Sequence, residues 1–297
     1  MLTYTIRPAT DADLAPLHAL WYATEVDGEP SPPALPADIL PGLPHVLATG
    51  DLLLAERDGR IVGFAGLLTR GGVAFLTDLF VHPDAQSAGV GQALLERILP
   101  RDGRVLSTAA STDPRAPALY IRAGMRPQWP LFWLLGESQS LGLLAAQGTE
   151  LIEADPSDPA LAVWDSAIGG RPRAEDLTFL LSGFGAAPFW FERGGRRIGY
   201  GYVQRRSPES LWHQDAYTLG PIGAYTPEDA AACVVATVEW ARQRATMLRL
   251  AVPGPHPALR ALLAAGLWIV AIETFLSAGE APFVDGRRYL PSGGTLF

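Results

Sequence analysis

Two stretches of this chain repeat one another at nearly the same spacing, and that repetition limits the fold more than any single motif. Asp58-Gly59-Arg60-Ile61-Val62-Gly63 is matched by Gly194-Gly195-Arg196-Arg197-Ile198-Gly199, each a hairpin turn entering a strand. Leu119-Tyr120-Ile121-Arg122-Ala123-Gly124-Met125 is matched by Ala261-Leu262-Leu263-Ala264-Ala265-Gly266-Leu267, each a helix closed by glycine. Gly63 and Gly124 lie 61 positions apart, and Gly199 and Gly266 lie 67 apart. A duplicated domain explains this spacing, and 297 residues suffice for two domains of ordinary size. The Gly/Ser/Gln-rich stretch 137–150 breaks the pattern, so the expected domains are 1–136 and 151–297 with a linker at 137–150.

Within the first half, residues 1–9 read as a strand, and Thr10-Asp11-Ala12-Asp13 caps a helix with the apolar stripe Leu14, Leu17, Leu20 and Trp21. Six prolines between Gly28 and Pro44 suit a surface loop or lid. Three strands follow, Asp51–Glu56, Ile61–Leu68 and Val73–Val81, separated by Asp58-Gly59 and Gly71-Gly72 as an antiparallel meander. A helix near Gly89, a strand Arg104–Ala109, a helix Pro114–Ala123 and a strand near Phe132–Leu135 complete the half.

Composition removes whole chemistries. All 23 basic residues are Arg, and there is no Lys or Asn, so Schiff-base lysines, phosphate-loop lysines and Cys-His-Asn sets are excluded. Cys233 stands alone and reads as a small buried apolar residue. The five His residues show no metal-ligand spacing, so no metal is expected. A net charge of −8 argues against nucleic acid and favours cationic small molecules. The N-terminus lacks an apolar secretory core, and the longest uncharged apolar run, Ala261–Ile272, is too short to span a bilayer, so a cytoplasmic protein away from membranes is expected.

The stretch Phe75–Pro83 runs as a strand into Gln86-Ser87-Ala88-Gly89-Val90-Gly91-Gln92-Ala93, a glycine-bearing turn that opens a helix. Glycines let a backbone approach a ligand, and the free N–H groups with the positive dipole end of the helix suit phosphate oxygens. No acid stands between Gln86 and Ala93. A dinucleotide fingerprint would need glycine where Leu94 stands, and a Walker loop needs lysine. The remaining readings are a plain turn closing onto a helix or an anion loop.

This loop resembles the coenzyme A loop of GNAT-type N-acetyltransferases, Gln/Arg-x-x-Gly-x-Gly/Ala after an apolar-Val-x-Pro strand end, with Gln86, Gly89 and Gly91 on the pattern. Asp113–Met125 is similar to the family's Asn-x-x-Ala-x-x-Leu-Tyr-x-x-x-Gly-Phe, with Asp113 in place of Asn and Met125 in place of Phe. The resemblance covers residues 3 to about 135; the second half shares the element order without the motifs. It implies an α/β (α+β) chain of two tandem GNAT-like domains, each a mixed, mostly antiparallel sheet flanked by helices. It implies acetyl-CoA as cosubstrate, with Phe80 and Val81 holding the pantetheine and acetyl carbonyl. Gln86, Ser87, Ala88, Gly89, Val90, Gly91 and Gln92 would wrap the pyrophosphate, and Asp113 and Ala116 stand at the second motif. The implied activity is acetyl transfer to a small-molecule amine. A non-catalytic acyl-CoA sensor and an acetyltransferase for protein N-termini or lysines are the alternatives.

Acetyl transfer needs a neutral amine and a proton for the departing thiolate. Tyr120 occupies the family position whose phenol faces the coenzyme sulfur; otherwise it packs on the sheet. Asp78, two residues before Phe80, shares its strand face and lies near the acetyl group, or else is a surface carboxylate. Glu25, with Asp27 and Glu29, either lines the amine pocket or forms a solvated charge run.

At the matching junction of the second half, Thr226 is an expected N-cap, Pro227 fills the first helical position, and Glu228 and Asp229 occupy the first turn. Two carboxylates there repel a pyrophosphate. Leu262 stands where Tyr120 stands in the first half and donates no proton. The second half therefore reads as a GNAT-like domain without coenzyme binding, serving packing, homodimer formation or substrate recognition. Its aromatic residues Trp190, Phe191, Tyr200, Tyr202, Trp212 and Tyr217 are core or pocket lining.

Overall fold

The computed structural model describes residues 4–146, 148–294 and 296–297, so positions 1–3 of the first expected strand lie outside the described residues. The chain forms two compact units, Met1–Thr108 and Ala109–Phe297.

The first unit contains β1 (Thr5–Pro8), α1 (Leu14–Glu25), α2 (Gly42–Thr49), β2 (Asp51–Arg57), β3 (Arg60–Arg70), β4 (Val73–Val81), α3 (Val90–Ile98) and the start of β5 (Val105–Ala110). Its strands lie in the order β1-β2-β3-β4-β5, antiparallel except for the parallel pair β4 and β5. Asp13 accepts hydrogen bonds from the Thr10 N–H and hydroxyl, each 2.8 Å, which fixes the entry to α1. Leu14, Leu17, Leu20 and Trp21 are all buried, as their spacing predicts. The proline-rich segment ends at Pro41 and not at Pro44. Gly42, Leu43 and Pro44 begin α2, because proline is tolerated in a first helical turn and Leu43 and Val46 bury its inner face.

The second unit contains α4 (Arg115–Arg122), β6 (Met125–Glu137), β7 (Glu150–Glu153), α5 (Pro159–Gly169), α6 (Ala174–Gly183), β8 (Ala187–Arg193), β9 (Arg196–Gln204), β10 (Tyr217–Ala224), α7 (Pro227–Ala241), β11 (Met247–Pro253), α8 (Leu259–Ala264), β12 (Trp268–Ala278) and β13 (Tyr289–Leu290). Its strand order is β12-β6-β11-β10-β9-β8-β7, with β13 added to β10. β6 pairs with β11 on one edge and with β12 on the other, both antiparallel. The strand expected to close the first half is therefore held between the last long strands of the chain, and the compact units divide before it, earlier than the 137–150 stretch.

The repeat seen in sequence recurs in backbone detail. Asp58 and Gly59 have φ of 53° and 74°, and Gly194 and Gly195 have 59° and 75°, two-residue turns that match strand twist. Pairing shifts by one residue at Ala55/Glu56 before the first turn and at Phe191/Glu192 before the second. β4 bulges between Leu76 and Asp78, and β10 bulges between Leu219 and Ile222. Extra residues at equivalent places in both units mark a duplicated architecture.

Candidate active site

In the first unit β4 and β5 pair only from Val73↔Val105 to Leu76↔Thr108, where the Thr108 hydroxyl donates to the Leu76 carbonyl at 2.9 Å. β4 continues to Val81 along β3, through Gly66↔Asp78, Phe64↔Phe80 and Gly63↔Val81. Beyond Leu76 its β5-facing edge is released, which leaves main-chain donors and acceptors for a ligand. The bulge residue Thr77 donates to the Asp78 carboxylate at 2.7 Å.

Asp78 is part-buried beside Gly66, whose missing side chain leaves room for it: a Cβ there would stand 2.7 Å from its Oδ2. Burial raises its pKa to about 6, against the pull of the Thr77 hydroxyl. Asp78 therefore lies between the two readings, part-buried against Gly66 and raised in pKa by that burial. The same Gly66 position adjoins Val46 of α2, so α2 covers the face on which Asp78 lies. α3 covers the other face, where Val90 and Leu94 pack over Gly63.

After β4 the chain turns through Pro83–Ala85 in a 3-10 turn, where His82 Nδ1 accepts from the Asp84 N–H at 3.2 Å. The Gln86 amide donates to the Val81 carbonyl at 3.2 Å and ties the loop to the strand end. Ser87 and Gly89 both have positive φ, 61° and 82°. The first helical bond of α3 runs from the Ala93 N–H to the Gly89 carbonyl at 3.1 Å, so the N–H groups of Val90, Gly91 and Gln92 precede the ladder. Gly89 caps the helix without a side chain, and no acid occupies its first turn. One unit thus brings together Asp78, Phe80, Val81 and the Gln86–Gln92 loop. Glu25, the last residue of α1, is exposed, as are Asp27 and Glu29.

Asp113, Ala116 and Tyr120 lie in the other unit. Asp113 accepts from the Arg115 backbone N–H at 2.9 Å and from its guanidinium, which lowers its pKa, so this carboxylate caps its own turn. The Ala116 N–H donates to the Asp113 carbonyl at 3.0 Å. Tyr120 on α4 is buried.

The matching place in the second unit is filled. Following the shared bulge, Gly220 and Pro221 stand where Thr77 and Asp78 stand in the first, so no carboxylate is present there. β10 pairs with β11 only at Tyr217↔Leu248 and Thr218↔Arg249. Its released edge is then taken by β13, through Ile222↔Leu290 and Gly223↔Tyr289, with the Ala224 N–H donating to the Arg288 carbonyl at 3.1 Å. Thr226 caps α7 by accepting from the Asp229 N–H at 3.1 Å, and Asp229 also pairs with Arg193. Sequence reading located these acids but missed β13, because two residues in a proline- and glycine-rich tail carry no strand periodicity.

Beneath β13 lies a buried ion network. Arg173 donates to both Asp165 oxygens at 2.8 Å and to the main-chain oxygens of Leu296 and Phe297 at 3.0 and 2.8 Å. The Tyr200 hydroxyl donates to Asp165 at 2.7 Å. Trp190, Phe191, Tyr200 and Tyr202 are core, and Trp212 is exposed. Tyr217, at the start of β10, lines a groove of about 560 Å³ with Phe189, Trp240, Arg205 and Arg244, at the end of that strand away from the turn into α7. Among the described residues no helix is long and apolar enough to cross a membrane, and no group of His, Cys, Asp or Glu is arranged to hold a metal.

Residues 48–126 match the Acetyltransferase (GNAT) domain family. No curated protein matches the chain. Among solved structures, a Pyrococcus horikoshii protein described as an acetyltransferase is 16% identical with a TM-score of 0.74, over 100% of this chain and 97% of that one. A tandem GNAT protein from the clavulanic acid biosynthesis pathway is 18% identical with a TM-score of 0.63, over 94% and 99%. A GCN5-related N-acetyltransferase from Sphaerobacter thermophilus is 16% identical with a TM-score of 0.60, over 95% and 98%. At such identities the likeness is one of fold.

Proposed function

We propose that this chain, a tandem GNAT-type N-acetyltransferase by its domain and fold, acetylates the amine of a small molecule and does so in its first half. The observation that carries the reading is the unequal treatment of two equivalent strand edges. The edge beyond Leu76 is released next to an acid-free helix start, whereas the edge beyond Thr218 is covered by Tyr289-Leu290 next to Glu228 and Asp229. In this reading the β4 edge takes the pantetheine arm, and the N–H groups at the start of α3 take the pyrophosphate.

Acetyl-CoA supplies the activated thioester. Asp78 takes a proton from the ammonium to leave the neutral, nucleophilic amine, and the released β4 edge orients the acetyl carbonyl. Tyr120, carried over from the family motif, returns a proton to the thiolate. From Leu14 to Thr49 the sequence has four acids, Glu25, Asp27, Glu29 and Asp38, and no Lys or Arg, so the α1–α2 segment attracts a cationic amine. Asp113 and Ala116 remain proposed neighbours of the coenzyme, and the duplicated-module boundary at 137–150 remains a proposal.

The test is release of free thiol from acetyl-CoA against a panel of amines. Turnover with small amines that falls at least a hundredfold in Asp78→Asn supports the reading. Coenzyme binding without turnover favours a sensor, and turnover confined to peptides favours a protein acetyltransferase. Self-association is the remaining role proposed for the second half: a solution mass of twice 31.8 kDa supports it and 31.8 kDa overturns it.

A further inference from the structure

The segment between α1 and α2, residues 26–41, has no regular structure and carries five of its residues as proline. Proline has no N–H to donate, so such a strap holds its place chiefly through its carbonyls. Two of them are taken by one face of α1. The Tyr22 hydroxyl donates to the Pro33 carbonyl at 2.7 Å, and His18 Nε2 lies 3.0 Å from the Pro36 carbonyl. A carbonyl only accepts, so Nε2 carries the hydrogen. His18 and Tyr22 are four residues apart and therefore share a helix face. His18 is 4% exposed and stacks on Trp21 at 5.5 Å, and its Nδ1 has no hydrogen-bond partner. A buried imidazole with one nitrogen unmatched is costly, and the Nε2 bond to Pro36 offsets part of that cost.

The direction of α2 says where the strap lies. Gly50, just past the end of α2, abuts Leu67 and Leu68, and Val46 abuts Gly66. Moving back along α2 thus leads towards earlier residues of β3, which pair with Phe80 and Val81 of β4. The strap joins α2 at that end, on the face that holds Asp78.

We propose that His18 and Tyr22 are positioning residues that pin the proline strap at Pro36 and Pro33, fixing the wall past which the amine reaches Asp78. This rests on the acetyl-transfer reading above. The strap then selects acceptors by shape while coenzyme binding proceeds without it.

The experiment combines Tyr22→Phe, His18→Leu and His18→Gln with two readouts. Cleavage by thermolysin within residues 26–41 is expected to quicken in Tyr22→Phe and His18→Leu with global unfolding unchanged, and His18→Gln, which keeps an N–H donor, restores resistance. KM for the amine is expected to rise roughly three- to tenfold, the effect of one hydrogen bond, with kcat and the acetyl-CoA Kd unchanged. Unaltered cleavage in the strap, or a fall in kcat at constant KM, overturns the proposal. If His18→Leu fails to fold, Tyr22→Phe decides alone. If the wild-type protein acetylates no amine, the acyl-transfer reading fails and the wall role falls with it, while strap cleavage still separates that failure from a failure of the pinning.

Discussion

Asp78 is the residue whose environment most directly implies chemistry. A base must be ionised to accept a proton, so kcat/KM is expected to rise with pH through about 6 and then level. Asp78→Asn removes that limb. The same burial makes a stability statement with a definite sign. The folded pKa, about 6, lies above the ordinary 3.8, so the group's stabilising contribution is present below the unfolded value and lost as pH rises through about 6. Asp78→Asn keeps the Thr77 hydrogen bond and is expected to be more stable than wild type at pH 8 by roughly 2 kcal/mol, and no more stable at pH 4. Thermal melts at the two pH values check this; equal melting differences would show that the carboxylate is not desolvated. The sequence placed Asp78 on the face of Phe80 but left its exposure open, because enclosure depends on Gly66 and Val46, which lie on other elements.

At the scale of elements, α3 and α7 follow equivalent strands and present opposite chemistry in their first turns. A carboxylate in a first turn favours the helix by about 0.3–1 kcal/mol and disfavours an anion at the same place. Gln92→Glu should therefore weaken acetyl-CoA binding about two- to fivefold, an effect that shrinks with added salt, while the melting temperature hardly moves because Glu96 lies one turn on. Titration calorimetry at two ionic strengths reads it; unchanged affinity would place the pyrophosphate elsewhere. Helix starts of this kind are legible in sequence, since caps and first-turn charges are local. α2 was not, because Pro44 reads as a breaker until the burial of Leu43 and Val46 is known. β6 extended well beyond the short apolar run Phe132–Leu135, because pairing with β11 and β12 brings polar and proline positions into the strand.

Across the whole molecule, the repeated spacing of turns and helix ends was enough to see two copies of one architecture, and shared bulges at β4 and β10 bear that out. What spacing did not reveal was the pairing of β6 with β11 and β12 or the tail that seals the second copy, since both join residues far apart in sequence. The seal relies on Asp165 and Arg173, both almost wholly buried. Asp165→Ala leaves the Arg173 guanidinium uncompensated and is expected to cost about 3–5 kcal/mol, read by denaturant unfolding. The central claim is that only one of the two equivalent edges accepts coenzyme, and calorimetric titration of the full chain with acetyl-CoA tests it most directly. One site per chain, lost in Gly89→Val, is the expected result; two sites, or one that persists in Gly89→Val, would contradict it.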